Sequence, residues 1–307
     1  MKVVAVANNK GGVGKTTVTA NLGAGLANLG MRVLLIDLDP QASLTKSFFT
    51  VDETARFLTQ VRTIGTWFKS SDRGRAKCLA ELVVSPPRFN GMLKHGGWLE
   101  LIPSDSTLVD AEVLIPNSVD ATGNIQDSKF LRMHRRLAED LGDPAFAKYD
   151  VILIDCPPAF SLTTKMAIVA SDIMLIPARP DFLSAEGIQE LGKALTRLTS
   201  DYNQHLSGSR SAKTLAPMRM PRTAVVFTMV QLFSGRPIDV HSQFINEVKA
   251  LGVPVLDTMI RDRSSAFAAS GRHGVPTIMA HGVPSEVRND LGDVIDELRK
   301  QLERLPS

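Results

Sequence analysis

Cysteine is nearly absent from this sequence. Cys78 and Cys156 are the only two in 307 residues, too few for a disulfide framework or a four-cysteine metal site. Tyrosine is equally scarce, with Tyr149 and Tyr202 alone. Long hydrophobic runs are missing: Val3–Ala7, Val33–Ile36 and Val151–Ile154 fall far short of the ~18 residues that a membrane-spanning helix needs. The first of these runs is too brief for a signal peptide, and glycines and a lysine follow it at once, so a cytoplasmic chain is expected. Acid is missing from 202–238, a stretch that holds Arg210, Lys213, Arg219, Arg222 and Arg236. Between 56 and 97 the balance leans the same way, Arg62, Lys69, Arg73, Arg75, Lys77, Arg88 and Lys94 standing against Asp72 and Glu81. Such clusters are the footprint of a polyanion-binding face or of a solvated basic loop, and charge alone leaves both readings open.

What is present is an ordinary folded composition, with 44% hydrophobic and 22% charged residues, which excludes a disordered or fibrous chain. A net charge of +3 says little about partners. Short apolar, β-branched runs recur at Val3–Ala7, Arg32–Asp37, Trp98–Pro103, Tyr149–Asp155, Asp172–Pro177, Thr223–Met229 and Val253–Ile260. They are continuous rather than alternating, as expected when helices cover both sheet faces. Helical patterns lie between them, for example Thr16–Gly30 with Val18, Leu22, Leu26 and Leu29 on one face. Strand, helix, strand in repetition predicts an α/β fold with a doubly wound, mostly parallel sheet. One domain over 1–307 is expected, with a less regular peripheral segment at about 51–97, a mobile loop at Ser207–Pro221 and a C-terminal helix over about 285–305. That helix carries acids and bases together on its polar face, whereas a membrane-surface helix wants a basic one.

The strongest motif is Lys10-Gly11-Gly12-Val13-Gly14-Lys15-Thr16-Thr17, placed after the first strand and opening the first helix. Glycines let successive backbone N–H groups turn inward around phosphate oxygens, and the helix N-terminus adds partial positive charge. Lys15 can then reach the β- and γ-phosphates, the Thr16 hydroxyl can ligate Mg²⁺, and Thr17 can hold the α-phosphate. ATP is thus the expected substrate and Mg²⁺ the expected cofactor. Asn9 stands where the common phosphate loop has its first glycine, and a second lysine, Lys10, heads the loop.

With that early lysine the sequence resembles the deviant Walker A, or ParA/MinD, family of P-loop ATPases. Two further elements carry the resemblance. Asp37-Leu-Asp39-Pro40-Gln41 resembles the family's D-x-D-P-Q element, and Tyr149-Asp-Val-Ile-Leu-Ile-Asp155 its Walker B strand. Less specific pieces follow at Leu101-Ile-Pro-Ser-Asp, at Ala111-Glu-Val-Leu and at His273-Gly-Val-Pro276. The resemblance implies that Lys10 reaches across a dimer interface to the partner's ATP. It further implies that Asp39 orients the attacking water, and that Asp155, with Thr16 and Asp39, serves the metal.

Within the family, the Asp-Pro-Gln element looks ParA/Soj-like. The chain lacks a C-terminal tyrosine cluster and cluster-binding cysteines, and Cys156 reads as a small buried hydrophobe. Larger plasmid partition ATPases carry an N-terminal helix-turn-helix domain, which is not expected ahead of Lys10. The ParA resemblance implies an ATP-dependent homodimer, non-specific double-stranded DNA as ligand, a ParB-like stimulating protein and association with the nucleoid. Arg236, Arg261, Arg263 and Arg272 are the candidate DNA contacts. Arg261 has two alternatives, service to the adenine base or pairing with Asp257 or Asp262. The competing function is a MinD-like or cargo-positioning switch on membrane or a protein assembly. A small-molecule P-loop transferase or synthetase leaves Lys10 without a task.

Overall fold

The computed structural model describes residues 1–50, 52–54, 63–70, 78–109, 127–209 and 215–305, with backbone alone at 70 and 269–272. Strands β1 (Lys2–Val6), β2 (Arg32–Asp37), β3 (Trp98–Ile102), β4 (Val151–Asp155), β5 (Ile173–Ala178) and β6 (Arg222–Phe227) form one sheet in the order β3-β2-β4-β1-β5-β6. Every pairing in it is parallel. The main helices are α1 (Lys15–Asn28), the short α2 (Ser43–Lys46), α3 (Ile64–Ser70) and α4 (Pro87–Asn90), then α5 (Asp127–Leu141), α6 (Leu162–Val169) and α7 (Phe182–Gly208). A small hairpin of β7 (Leu232–Phe233) and β8 (Arg236–Pro237) follows, then α8 (Asp239–Ala250), α9 (Ser264–His273) and α10 (Ser285–Glu303).

Strand side chains alternate between two cores because successive residues point to opposite faces. Leu34, Ile36, Ile152 and Ile154 pack with α5, α6, α7 and α8 residues such as Leu137, Met166, Leu191 and Val248. Val33, Leu35, Val151 and Leu153 pack on the other face with Val18 and Leu22 of α1 and Leu291, Val294 and Leu298 of α10. Helices on both faces make the sheet doubly wound, as its continuous apolar runs predict. The apolar side of α10 is spent inside this second core, where α1 approaches so closely that a side chain at Gly25 would strike Ile295. No described helix is long and apolar enough to cross a membrane.

Two expectations need correction. Val253–Ile260 is not a strand: it meets β6 at an isolated bridge, Val225 to Val255, and at a separate bond from Ile260 N to the Phe227 carbonyl (2.8 Å). Pro254 has no N–H to donate, and the N–H groups of Asp257 and Thr258 go instead to the Glu297 carboxylate of α10 (3.0 and 2.8 Å). The 207–221 segment begins as helix, since α7 runs on to Gly208. Part of that loop, including Arg210 and Lys213, lies outside the described residues, as do Arg62, Arg73, Arg75, Lys77 and the Ala111-Glu-Val-Leu piece.

The described part of 51–97 consists of short helices and turns, yet it is not merely peripheral. Trp67 is 1% exposed; its indole N–H donates to Asp140 at 2.6 Å, and the Arg136 guanidinium lies 3.8 Å over its ring. Phe89 of α4 is buried edge-on against Phe48 at 5.2 Å.

Candidate active site

The parallel order places the C-terminal ends of β1, β2, β4 and β5 side by side, and open α/β sheets bind ligands at that edge. The loop from β1 to α1 is clamped at its start by buried Asn8. Its Nδ2 donates to the Pro177 carbonyl (2.8 Å), and its Oδ1 accepts from Lys10 N (3.0 Å). Gly12 and Gly14 have φ of 71° and 85°, a left-handed backbone that side chains resist. The far end is pinned by Thr228 beyond β6, whose hydroxyl donates to the Val13 carbonyl at 2.8 Å.

Lys15, 7% exposed, folds back into this loop and donates to the carbonyls of Asn8 and Lys10, both at 2.9 Å. Burial pushes its pKa down, while the charges of Asp155, Cys156 and Asp39 oppose that shift. Thr16 Oγ1 donates to Asp155 Oδ2 at 2.7 Å, so the hydroxyl and the strand-end acid meet as the motif predicts. Asp155 stands in register beside Asp37, and both carboxylates are fully buried. Burial, chiefly, raises both: Asp37 to about 6, and Asp155 well above the usual carboxylate range with further help from the Asp37 charge. Asp37 also accepts the N–H and hydroxyl of Thr45 (2.8 and 2.7 Å) and the N–H of Asp39 (3.1 Å). Asp39 is half-buried and accepts Gln41 N at 2.9 Å. The Cys156 thiol is buried, and burial and then the neighbouring Asp155 push its pKa up, which suits an inert small side chain.

Two site residues escape the motifs. Asp37 belongs to the D-x-D element but carries no assigned role there. Asp181, just before α7, holds the Lys10 ammonium at 2.6 and 2.7 Å and accepts the Ser184 hydroxyl at 2.9 Å. Burial would raise the Asp181 pKa; the Lys10 and Ser184 bonds outweigh it and hold it low. Its position just beyond a strand end, like that of Asp39, is the signal that could have found it.

The described DNA candidates stand in different surroundings. Arg261 pairs neither with Asp257 nor with Asp262. Its Nε and backbone N meet Asp290 Oδ2 at 2.7 and 3.0 Å, and Nη2 meets Oδ1 at 2.8 Å, a bidentate hold on α10 that planar guanidinium favours. It also lines a cavity of ≈ 210 Å³ with Gly14, Thr17, Thr228, Arg263 and Phe267. Arg263 is exposed at the start of α9, and Arg236 is exposed on the β7–β8 hairpin. Arg272 lies in α9, its side chain outside the described residues.

Known proteins share this architecture. A family model described as an AAA domain matches residues 1–208. Over 280 residues the chain is 32% identical to the sporulation initiation inhibitor protein Soj of Bacillus subtilis, covering 91% of this chain and 90% of Soj. It is 28% identical over 261 residues to the chromosome partitioning protein ParA of Caulobacter vibrioides, covering 83% and 86%. Among solved structures, an ATP complex of Cyanothece McdA aligns with a TM-score of 0.69 at 21% identity, covering 100% and 98%. The cell division ATPase MinD of Pyrococcus furiosus aligns at 0.62 and 17% identity, covering 98% and 99%. At those identities the two structures speak for the fold alone. The sequence matches and the shared fold together place the chain in the ParA/MinD family of P-loop ATPases, with Soj and ParA among its relatives.

Proposed function

We propose that this chain is a partition ATPase that dimerises around Mg²⁺–ATP, binds double-stranded DNA without sequence preference in that state, and lets go after hydrolysis. The observation that carries the nucleotide part is the meeting of Thr16 with Asp155 beside the buried Lys15. Hydroxyl and carboxylate oxygens of this kind suit a hard cation such as Mg²⁺. The buried Asp155 carboxylate, raised by its surroundings despite the Lys15 charge, would gain a second counter-charge. Thr16, Asp155 and the nearby Asp39 are the residues that would hold the ion, and its chemistry there is charge neutralisation on the phosphate oxygens.

The rest falls to the chain. Lys15 and the loop N–H groups of Gly11, Gly12, Val13 and Gly14 stabilise charge developing on the transferred phosphoryl group. Thr17 faces the ≈ 210 Å³ cavity, where the base side of the nucleotide would sit against Arg261. Asp39, exposed enough to meet solvent, positions the attacking water. Lys10 is held by Asp181 of its own chain, and in a dimer it would exchange that carboxylate for the partner's phosphates. The name of ParA, a chromosome partitioning protein, supports DNA as the cargo, and a ParB-like stimulator and the nucleoid follow from the family resemblance. The packed apolar side of α10 argues against a membrane anchor.

The test is binding to an arbitrary duplex with ATP, with ADP and without nucleotide, across a salt series. Binding with ATP alone, falling steeply as salt rises, is expected. No binding under any condition, with ATP-dependent dimers demonstrated, would replace DNA by a membrane or protein assembly.

A further inference from the structure

Two chain segments far apart in sequence, 88–92 and 263–284, converge on one open groove of ≈ 760 Å³. Arg88 of α4, Arg263 and His273 at the two ends of α9, and His281 in the loop before α10 line it, with Val275 and Met279 among its apolar residues. The convergence is built into the core. Phe89 is buried on Phe48 and turns its neighbour Arg88 outward. Gly274, with φ of 63°, lies so near the Phe49 backbone that a Cβ there would come within 2.8 Å of it. That contact fixes the end of α9, and with it His273, beside the segment that carries the Phe48–Phe89 pair. The Arg288 guanidinium bonds the Ala280 carbonyl at 3.0 Å and ties down the loop before His281.

The groove's charge is one-sided. Arg88, Arg263, His273 and His281 are all exposed, and no carboxylate lines the cavity with them. The contrast with Arg261, two positions from Arg263 and locked to Asp290, is direct. Glu286 stands near enough to feel Arg263, but it bonds the Ser285 hydroxyl (3.2 Å) and does not line the groove. Two arginines, with two histidines that add charge when protonated and no acid lining the groove beside them, suit a polyanion. The exposed large hydrophobics that a lipid surface would need stand elsewhere, at Phe182, Leu183, Phe233 and Val240 among others.

We propose that this groove takes the phosphate backbone of duplex DNA, and that Arg263, which lines both the groove and the nucleotide cavity, links the two. The inference rests on the partition function above and adds Arg88, His273 and His281, to none of which the sequence motifs give a DNA-binding role.

The test compares wild type with R88E/H281E and R88K/H281K on a duplex with ATP, across a salt series, alongside ATP turnover. The glutamate pair should bind at least tenfold more weakly, with a log–log salt slope about 1–2 smaller in magnitude, and turn over ATP as wild type does. The lysine pair, keeping positive charge, should bind at least as tightly as wild type; weak binding by it would overturn charge as the cause. Wild-type affinity and slope in the glutamate pair would overturn the groove and leave the partition function standing. Absence of DNA binding by the wild type would overturn both. R263A should weaken DNA binding and ATP binding together, and loss of only one would break the proposed link.

Discussion

On the floor of the site, Lys15, Asp37 and Asp155 are at most 7% exposed, and each is bonded within the chain to carbonyls, hydroxyls or N–H groups. On the rim, Lys10 and Asp181 are 31% and 37% exposed, Asp39 is half-buried, and Arg263 is open to solvent. Floor and rim carry the same residue types in different surroundings. The floor is organised before any ligand arrives, so it loses little freedom on binding and suits capture. The rim holds its charges through partners that can be exchanged, which suits steps that change with the nucleotide or with a second subunit.

The sharpest way to break this comparison is to truncate one residue from each side. Lys15→Ala removes a buried cation and leaves Asp155 without its compensating charge. The expected loss is about 2–4 kcal/mol, or roughly 30- to 1,000-fold in ATP affinity, measured by titration calorimetry with Mg²⁺–ATP. ATP-induced dimers of that variant would remove Lys15 from the floor's role. Asp39→Ala, from the rim, should keep affinity and dimerisation but lose roughly 100-fold or more in turnover. Unchanged turnover would take Asp39 out of the chemistry.

Most residues of both floor and rim are legible in the sequence; the partners that hold the rim are not. Lys15, Thr16, Asp37 and Asp155 stand at strand ends or in the loop, where glycine spacing and apolar runs fix their surroundings locally. Asp181 meets Lys10 across 171 positions, and Asp290 meets Arg261 across 29; no periodicity announces such pairs, and only the strand order creates them. The same holds for the groove, whose Arg88 owes its position to the Phe48–Phe89 contact. Val253–Ile260 misleads for a related reason. Its apolar pattern is that of a strand, but Glu297, 40 positions from Asp257, takes the N–H groups that a strand would have offered.

Acid sharpens the comparison from the floor. The Asp37 pKa is raised from 3.8 to about 6, chiefly by burial. Between those values the folded chain holds a proton that the unfolded chain has lost. This residue's contribution is therefore full below about 4 and is lost as pH rises through about 6, by at most about 3 kcal/mol. Asp37→Asn keeps an oxygen for Thr45 and has no proton to lose. Its melting temperature relative to wild type should climb as pH goes from 4 to 6.5 without nucleotide. A constant difference across that range would mean that Asp37 is ionised in the folded protein throughout.

The smallest effect belongs to the rim and tests whether its contacts are exchangeable. The Lys10–Asp181 pair is about one-third exposed, and pairs of that kind contribute about 0–1 kcal/mol to stability. Asp181→Ala should therefore leave the melting temperature nearly unchanged. If Lys10 must leave Asp181 to reach a partner's phosphates, breaking the pair removes a competitor from the monomer alone. ATP-induced dimerisation, followed by light scattering against protein concentration, should then occur at a concentration up to about 30-fold lower, the factor set by two such pairs per dimer at a ceiling of about 1 kcal/mol each. A shift to higher concentration would mean the opposite: that Asp181 aims Lys10 in the dimer and belongs with the floor.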